Sequence, residues 1–122
     1  MILADTSVWI HHFRSGDKDL QKALSHGEIV IHSWIIAELA LGSLRDRAKT
    51  LAMLDLLPRV REAQLSEVRL MIEARRLYSL GIGLTDAQLI ASIVLSPPTL
   101  LWTRDKPLRR VAGALGIHAA LT

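Results

Sequence analysis

The sequence predicts an α/β protein: a central parallel sheet flanked by helices on both faces. Short apolar runs suited to buried strands alternate along the chain with longer stretches of helical periodicity. Half of the residues are hydrophobic and only 22% are charged, so the chain can build a real core and is not a disordered segment. Its 122 residues carry no internal repeat, low-complexity tract or linker, so one domain over residues 1–122 is expected. Alternation of strands and helices at this length places the sheet in the middle and helices on either side of it.

The elements follow in order. A first strand is predicted over residues 2–4, then helices over 7–14 and 17–25, with Gly27 free to close the second in the left-handed conformation. A strand over 28–32 leads to helices over 34–43 and 45–57, the latter stopped by Pro58. A strand over 59–63 and a helix over 67–80 come next. Thr85 and Gln88 have the spacing of a capping box, which starts a helix over 86–95. A strand over 99–102, a helix over 108–115 and a short strand over 117–119 complete the chain. In sheets of this kind functional groups collect at the carboxyl ends of the strands.

Composition removes several classes of function. The chain has no cysteine, which excludes disulfide frameworks, thiolate zinc sites and thiol nucleophiles. The start, Met1-Ile2-Leu3-Ala4-Asp5, has no basic stretch, so no targeting segment is expected. The longest uncharged stretch, residues 87–103, is short for a bilayer and is broken by Pro97-Pro98, so a soluble, cytoplasmic protein is expected. Fifteen Lys and Arg against 12 Asp and Glu give a mild net charge of +3. Most of the basic residues are arginine, the side chain best shaped for phosphate.

The position of the acids is the most informative feature. Asp5 is the only charged side chain between Met1 and Ile10, Glu38 the only one between Glu28 and Arg45, and Asp86 the only one between Arg76 and Arg104. An acid buried alone and ionised is costly, so each needs a partner, a proton or a metal. Each also has an ordinary structural alternative. Asp5 follows a strand and suits the N-cap of the first helix. Asp86 lies in a helix first turn, where a negative charge complements the dipole. Glu38 sits within Trp34-Ile35-Ile36-Ala37-Glu38-Leu39-Ala40-Leu41, a helix read as apolar on every face, with a distant arginine as the alternative partner. Asp105 follows another strand but lies between Arg104 and Lys106, so capping or surface pairing also accounts for it.

No rival centre competes. His11 and His12 are adjacent and point about 100° apart on a helix, while His26, His32 and His118 have no ligand spacing. With carboxylates as the ligands, hard cations such as Mg²⁺ or Mn²⁺ fit and zinc does not. Gly81-Ile82-Gly83 lacks the spacing and the lysine of a phosphate loop.

Four short motifs carry a resemblance. Asp5-Thr6-Ser7-Val8-Trp9-Ile10 after the first strand, Ala37-Glu38-Leu39 in a helix, Thr85-Asp86-Ala87 opening another and Thr103-Arg104-Asp105 after a late strand resemble the PIN-domain nucleases. Among these the chain is similar to VapC, the ribonuclease toxin of VapBC toxin–antitoxin pairs, over its whole length. The resemblance implies a three-layer α/β fold in which Asp5, Glu38, Asp86 and Asp105 converge on one or two Mg²⁺ or Mn²⁺ ions. It implies hydrolysis of RNA by water, leaving a 5′-phosphate. It also implies a cognate VapB-like antitoxin that blocks the acidic site, often on a toxin homodimer or a larger toxin–antitoxin assembly. Two positions depart from the family. Pro107-Leu108 stands where many relatives carry a further Asp followed by Phe, and His12 where close relatives often have an acid.

A negative excess around a divalent ion calls for basic residues at the rim to admit RNA. Arg104, Lys106, Arg109 and Arg110 begin beside Asp105 and are the candidates, with an ordinary solvated helix face as the alternative. The apolar surface of residues 34–44 and 51–57 is expected to serve a partner. Three other readings remain: a PIN-fold nuclease of RNA processing or structured DNA with no antitoxin, a PIN fold that binds RNA without cutting, and a receiver-like phosphoacceptor. The last wants an adjacent pair of acids after the first strand, and this chain has none.

Overall fold

The computed structural model describes residues 1–121. Three strands, β1 (Ile2–Ala4), β2 (Ile29–Val30) and β3 (Leu100–Trp102), form one parallel sheet in the order β2-β1-β3. Ile2 and Leu3 pair with Ile29 and Val30 on one side and, with Ala4, with Leu100, Leu101 and Trp102 on the other. Successive strand residues face opposite sides of a sheet, and both Leu3 and Ala4, like both Leu101 and Trp102, are fully buried. Both faces are therefore covered, which is why these strands are continuous apolar runs and not alternating ones.

The strands expected over 59–63 and 117–119 shrink to single parallel bridges, Arg59 beside Ile31 and His118 beside Leu101. They widen the sheet by one residue pair at each place but are too short to count as strands.

Among the described residues seven helices complete the fold: α1 (Thr6–Ser15), α2 (Lys18–Ser25), α3 (Ser33–Ala40), α4 (Arg47–Leu56), α5 (Leu65–Ala74), α6 (Leu84–Val94) and α7 (Lys106–Ala114). Their ends correct several expected boundaries. The helix expected over 67–80 begins earlier and stops at Ala74, because Arg76 and Ser79 turn into the left-handed region (φ 52° and 61°). The helix expected to reach residue 43 stops at Ala40, where the Arg47 side chain hydrogen-bonds the free carbonyls of Ala40 and Gly42. The Thr85 cap does not form: α6 begins at Leu84 with Gly83 as N-cap, and Asp86, at the third helical position, accepts the Gly83 N–H at 3.3 Å. Glycine has no side chain with which to answer, so only half of a capping box exists here.

The core joins residues from every layer, with Trp9 and Trp102 among its largest fully buried side chains. Beneath it lies a neutral polar network that seats α6. His32 Nδ1 accepts the Trp34 N–H at 3.0 Å, which leaves Nε2 to donate to Ser92 Oγ at 3.1 Å. The Ser92 hydroxyl donates to the Gln88 carbonyl (2.8 Å) and accepts from the Ala63 N–H (3.0 Å), and Gln88 Nε2 donates to the Ala63 carbonyl (2.7 Å). Residues 88 and 92 are one turn apart, so this network fixes the buried side of the helix whose first turn carries Asp86. Among the described residues no helix is long and apolar enough to cross a membrane.

Candidate functional site

The parallel pairing of β1 with β3 sets two loops side by side at the carboxyl end of the sheet. The last rung is the Asp5 N–H to the Trp102 carbonyl at 2.9 Å. Asp5 follows β1 directly and caps α1, its Oδ1 accepting the Val8 N–H at 3.2 Å and the Ser7 hydroxyl. Its Oδ2 accepts the Thr103 hydroxyl from the loop after β3. Both hydroxyls are themselves seated. Ser7 Oγ accepts the Arg104 N–H and Thr103 Oγ1 the Asp105 N–H, each at 3.0 Å. Asp105 then caps α7, its Oδ2 accepting the Leu108 N–H at 3.0 Å.

Glu38 joins from α3, where the Thr6 hydroxyl donates to its Oε1 at 2.9 Å. The expectation of an α3 that is apolar on every face needs correcting. Ile35 and Leu39 are buried, but Ala37 and Glu38 are exposed, so the helix does have a solvent side and Glu38 lies on it. Asp86 is half-buried, Asp105 is exposed, and only Asp5 is deeply buried.

The electrostatics bind the four acids together. Burial pushes the Asp5 carboxyl above its ordinary value of 3.8, against the pull of the bonds from Ser7, Thr103 and Val8. Burial also raises Asp86. The Gly83 N–H pulls it back down, and the charges of Asp105, Asp5 and Glu38 push it up again. Asp86 thus feels the other three acids at once. No cation answers them: among the described residues the ion pairs are His11–Asp17, His26–Glu28 and Arg59–Asp55.

A divalent cation fits this setting in chemistry. The donors are all carboxylate oxygens, the negative charge is uncompensated, and the most buried member is also raised by desolvation. The side chains gather without meeting at a point. Among the described residues no three His, Asp or Glu groups stand close enough to hold one ion as placed, and each acid accepts a hydrogen bond from a donor of its own.

Of the basic candidates, Arg104, Lys106, Arg109 and Arg110 are all exposed. Arg109 leans back over the loop, its Nη2 donating to the Thr103 carbonyl at 3.3 Å. Three hydroxyls, Thr6, Ser7 and Thr103, form the frame that sequence reasoning left without a role. Their signal was present: each stands within three residues of an acid at a strand end.

A parallel α/β fold with acids at adjacent strand ends points to one class of protein, the PIN-domain nucleases. The PIN domain family matches residues 2–114. Ribonuclease VapC32, in each of two Mycobacterium tuberculosis strains, is 40% identical to this chain over 120 residues, covering 98% of this chain and 97% of the relative. The chain belongs to the PIN-domain family and, within it, to the VapC ribonucleases.

Proposed function

We propose that this chain, acting as one domain over residues 1–122, is a cytoplasmic toxin of a toxin–antitoxin pair that cuts RNA with a divalent cation. Asp5, Glu38, Asp86 and Asp105 are its catalytic and metal-holding residues. The single observation that carries the reading is the placement of the acids: the pairing of β1 with β3 sets Asp5 beside the loop that carries Asp105, with Thr103 donating to Asp5, and Thr6 draws Glu38 from α3 to the same end of the sheet.

Asp5 and Asp86 would hold the ion directly or through water, with Glu38 and Asp105 completing the shell or orienting the attacking water. When bound, Mg²⁺ or Mn²⁺ supplies an activated water and offsets charge on the phosphoryl and leaving oxygens. The chain's own part is to hold acids that repel one another. Ser7 and Thr103 keep both Asp5 oxygens from turning away, and Thr6 draws Glu38 to the mouth of the site. The rim residues Arg104, Lys106, Arg109 and Arg110 would offset the acids for an approaching phosphate backbone.

A VapB-like antitoxin that covers the acids would silence the activity, and a homodimer or larger toxin–antitoxin assembly is the form expected in the cell. The test is RNA cleavage by chain freed of any partner, with Mg²⁺, with Mn²⁺ and with EDTA. Cutting that needs the ion and is lost in Asp5→Asn supports the reading. Cutting that survives EDTA or Asp5→Asn overturns it.

A further inference from the structure

Beside the acids a groove of about 670 Å³ opens between α1 and the α3–α4 turn, and Glu38 is one of the residues that line it. One face of α1 leads into it. Thr6, which holds Glu38, is followed one turn on by Ile10 and two turns on by Phe13 and Arg14, all on the same stripe of the helix. From Thr6 to Arg14 the helix rises about 12 Å, so this stripe runs from the acidic centre outward. Ile10, Phe13, Leu39 and Leu44 line the groove with apolar side chains, and its charged residues are Arg14 and Arg45 with the acids Glu38 and Asp46.

The wall is built, not loose. The Thr50 hydroxyl donates to the Arg45 carbonyl at 2.9 Å, and Arg47 clips the turn to the end of α3 through the Ala40 and Gly42 carbonyls. Arg14 and Arg45 are both exposed and, among the described residues, take part in no ion pair. Two guanidinium groups outside any ion pair, set among apolar side chains next to the acidic centre, match a nucleotide strand: phosphates for the arginines, a base or ribose for the apolar side chains.

We infer that this groove is the substrate subsite on one side of the cut, where Arg14 and Arg45 hold the RNA backbone that runs on from the acidic centre. The inference rests on the ribonuclease reading above, but its test needs no cutting. A short fluorescein-labelled single-stranded RNA is titrated in EDTA, by anisotropy, into wild type, R14A/R45A, R14K/R45K and R75A/R76A. The last pair removes two exposed arginines that follow α5 and lie outside the groove, and so controls for net charge alone.

The expected result is binding about tenfold or more weaker in R14A/R45A, with the salt dependence flattened by about 1.4, or 0.7 for each lost contact on a single strand. R14K/R45K should recover much of the affinity, while R75A/R76A should stay within about twofold of wild type. Equal losses in R14A/R45A and R75A/R76A overturn the inference, since they would reflect charge without place. Unchanged RNA affinity in a folded R14A/R45A also overturns it, and a groove reserved for a protein segment would give that result. Failure of the nuclease reading is seen separately, as wild type that binds this RNA in EDTA but cuts none with Mn²⁺.

Discussion

Two buried polar regions lie at the carboxyl ends of neighbouring strands, and they solve the problem of burial in opposite ways. After β2, His32 is fully buried and neutral. It passes one hydrogen bond to Ser92, whose hydroxyl meets Gln88 and Ala63, so no charge is buried there and of these side chains only Gln88 Oε1 lacks a partner. After β1, Asp5 is only 5% exposed and its two oxygens also find donors, yet among the described residues it takes part in no ion pair. The first region is neutral and acts as an anchor. The second is hydrogen-bonded but electrically incomplete, and acids in that setting suit a cation.

The widest break between the two regions should come from removing charge. Asp5→Asn and Asp86→Asn are expected to lower RNA cleavage by about 100-fold or more, in line with removing a principal transition-state contact. Glu38→Gln should follow them. Asp86→Asn should melt at or slightly above the wild-type temperature in EDTA at pH 7, because it removes repulsion with three acids. Cleavage rates and thermal melts on the same preparations check both halves.

The anchor should show the reverse. Ser92→Ala strands the Ala63 N–H and His32 and is expected to cost about 1–3 kcal/mol, roughly 3–15 °C of melting temperature for a chain of this size. Activity per folded molecule should change little by comparison. A Ser92→Ala protein that melts like wild type would remove the contrast drawn here.

Acid sharpens the same comparison. Burial lowers His32 below its ordinary value of 6.5, with Glu62 pulling the other way and Arg59 reinforcing the shift. Its neutral form is the folded form, so its share of stability is present above 6.5 and is lost as pH falls below that value. Asp5 and Asp86 are raised above 3.8, so their share is present below 3.8 and is lost as pH rises through their folded values. At pH 7 the two acids therefore oppose folding, and Mg²⁺ or Mn²⁺ should raise the melting temperature by a few degrees. That gain should shrink as pH falls into the carboxyl range and should be absent in Asp5→Asn. Melts across pH with and without the ion read both effects.

The smallest change is expected at the most exposed acid on the β3 side. Asp105→Asn keeps an oxygen for the Leu108 N–H and should reduce cleavage by about tenfold, less than its buried neighbour. Equal losses at Asp5 and Asp105 in a cleavage assay would show that burial does not rank these acids.

Much of this was legible in the residues. Apolar strand runs, Pro58, Gly27 and the alternation of periods point to a parallel α/β sheet, and β1 and β3 fall within a residue of where the pattern puts them. Asp5, Glu38 and Asp86 stand out because each is alone among apolar neighbours, a property of the chain that needs no fold to be seen. Helix ends were less legible. Arg76 and Ser79 break α5 through backbone conformations that no local pattern announces, and the α3 terminus depends on Arg47 reaching back from the next helix.

By itself, then, the sequence determined the kind of sheet and which acids lack local partners, because periodicity and charge spacing are local quantities. Only the tertiary structure decided that Thr103 clamps Asp5 across 98 positions, that Glu38 is exposed and held by Thr6, and that Asp86 feels three other acids. Those facts follow from strand order. The pairing of β1 with β3 brings the two chain ends together, and a distance set by hydrogen-bonded strands has no trace in the spacing along the chain.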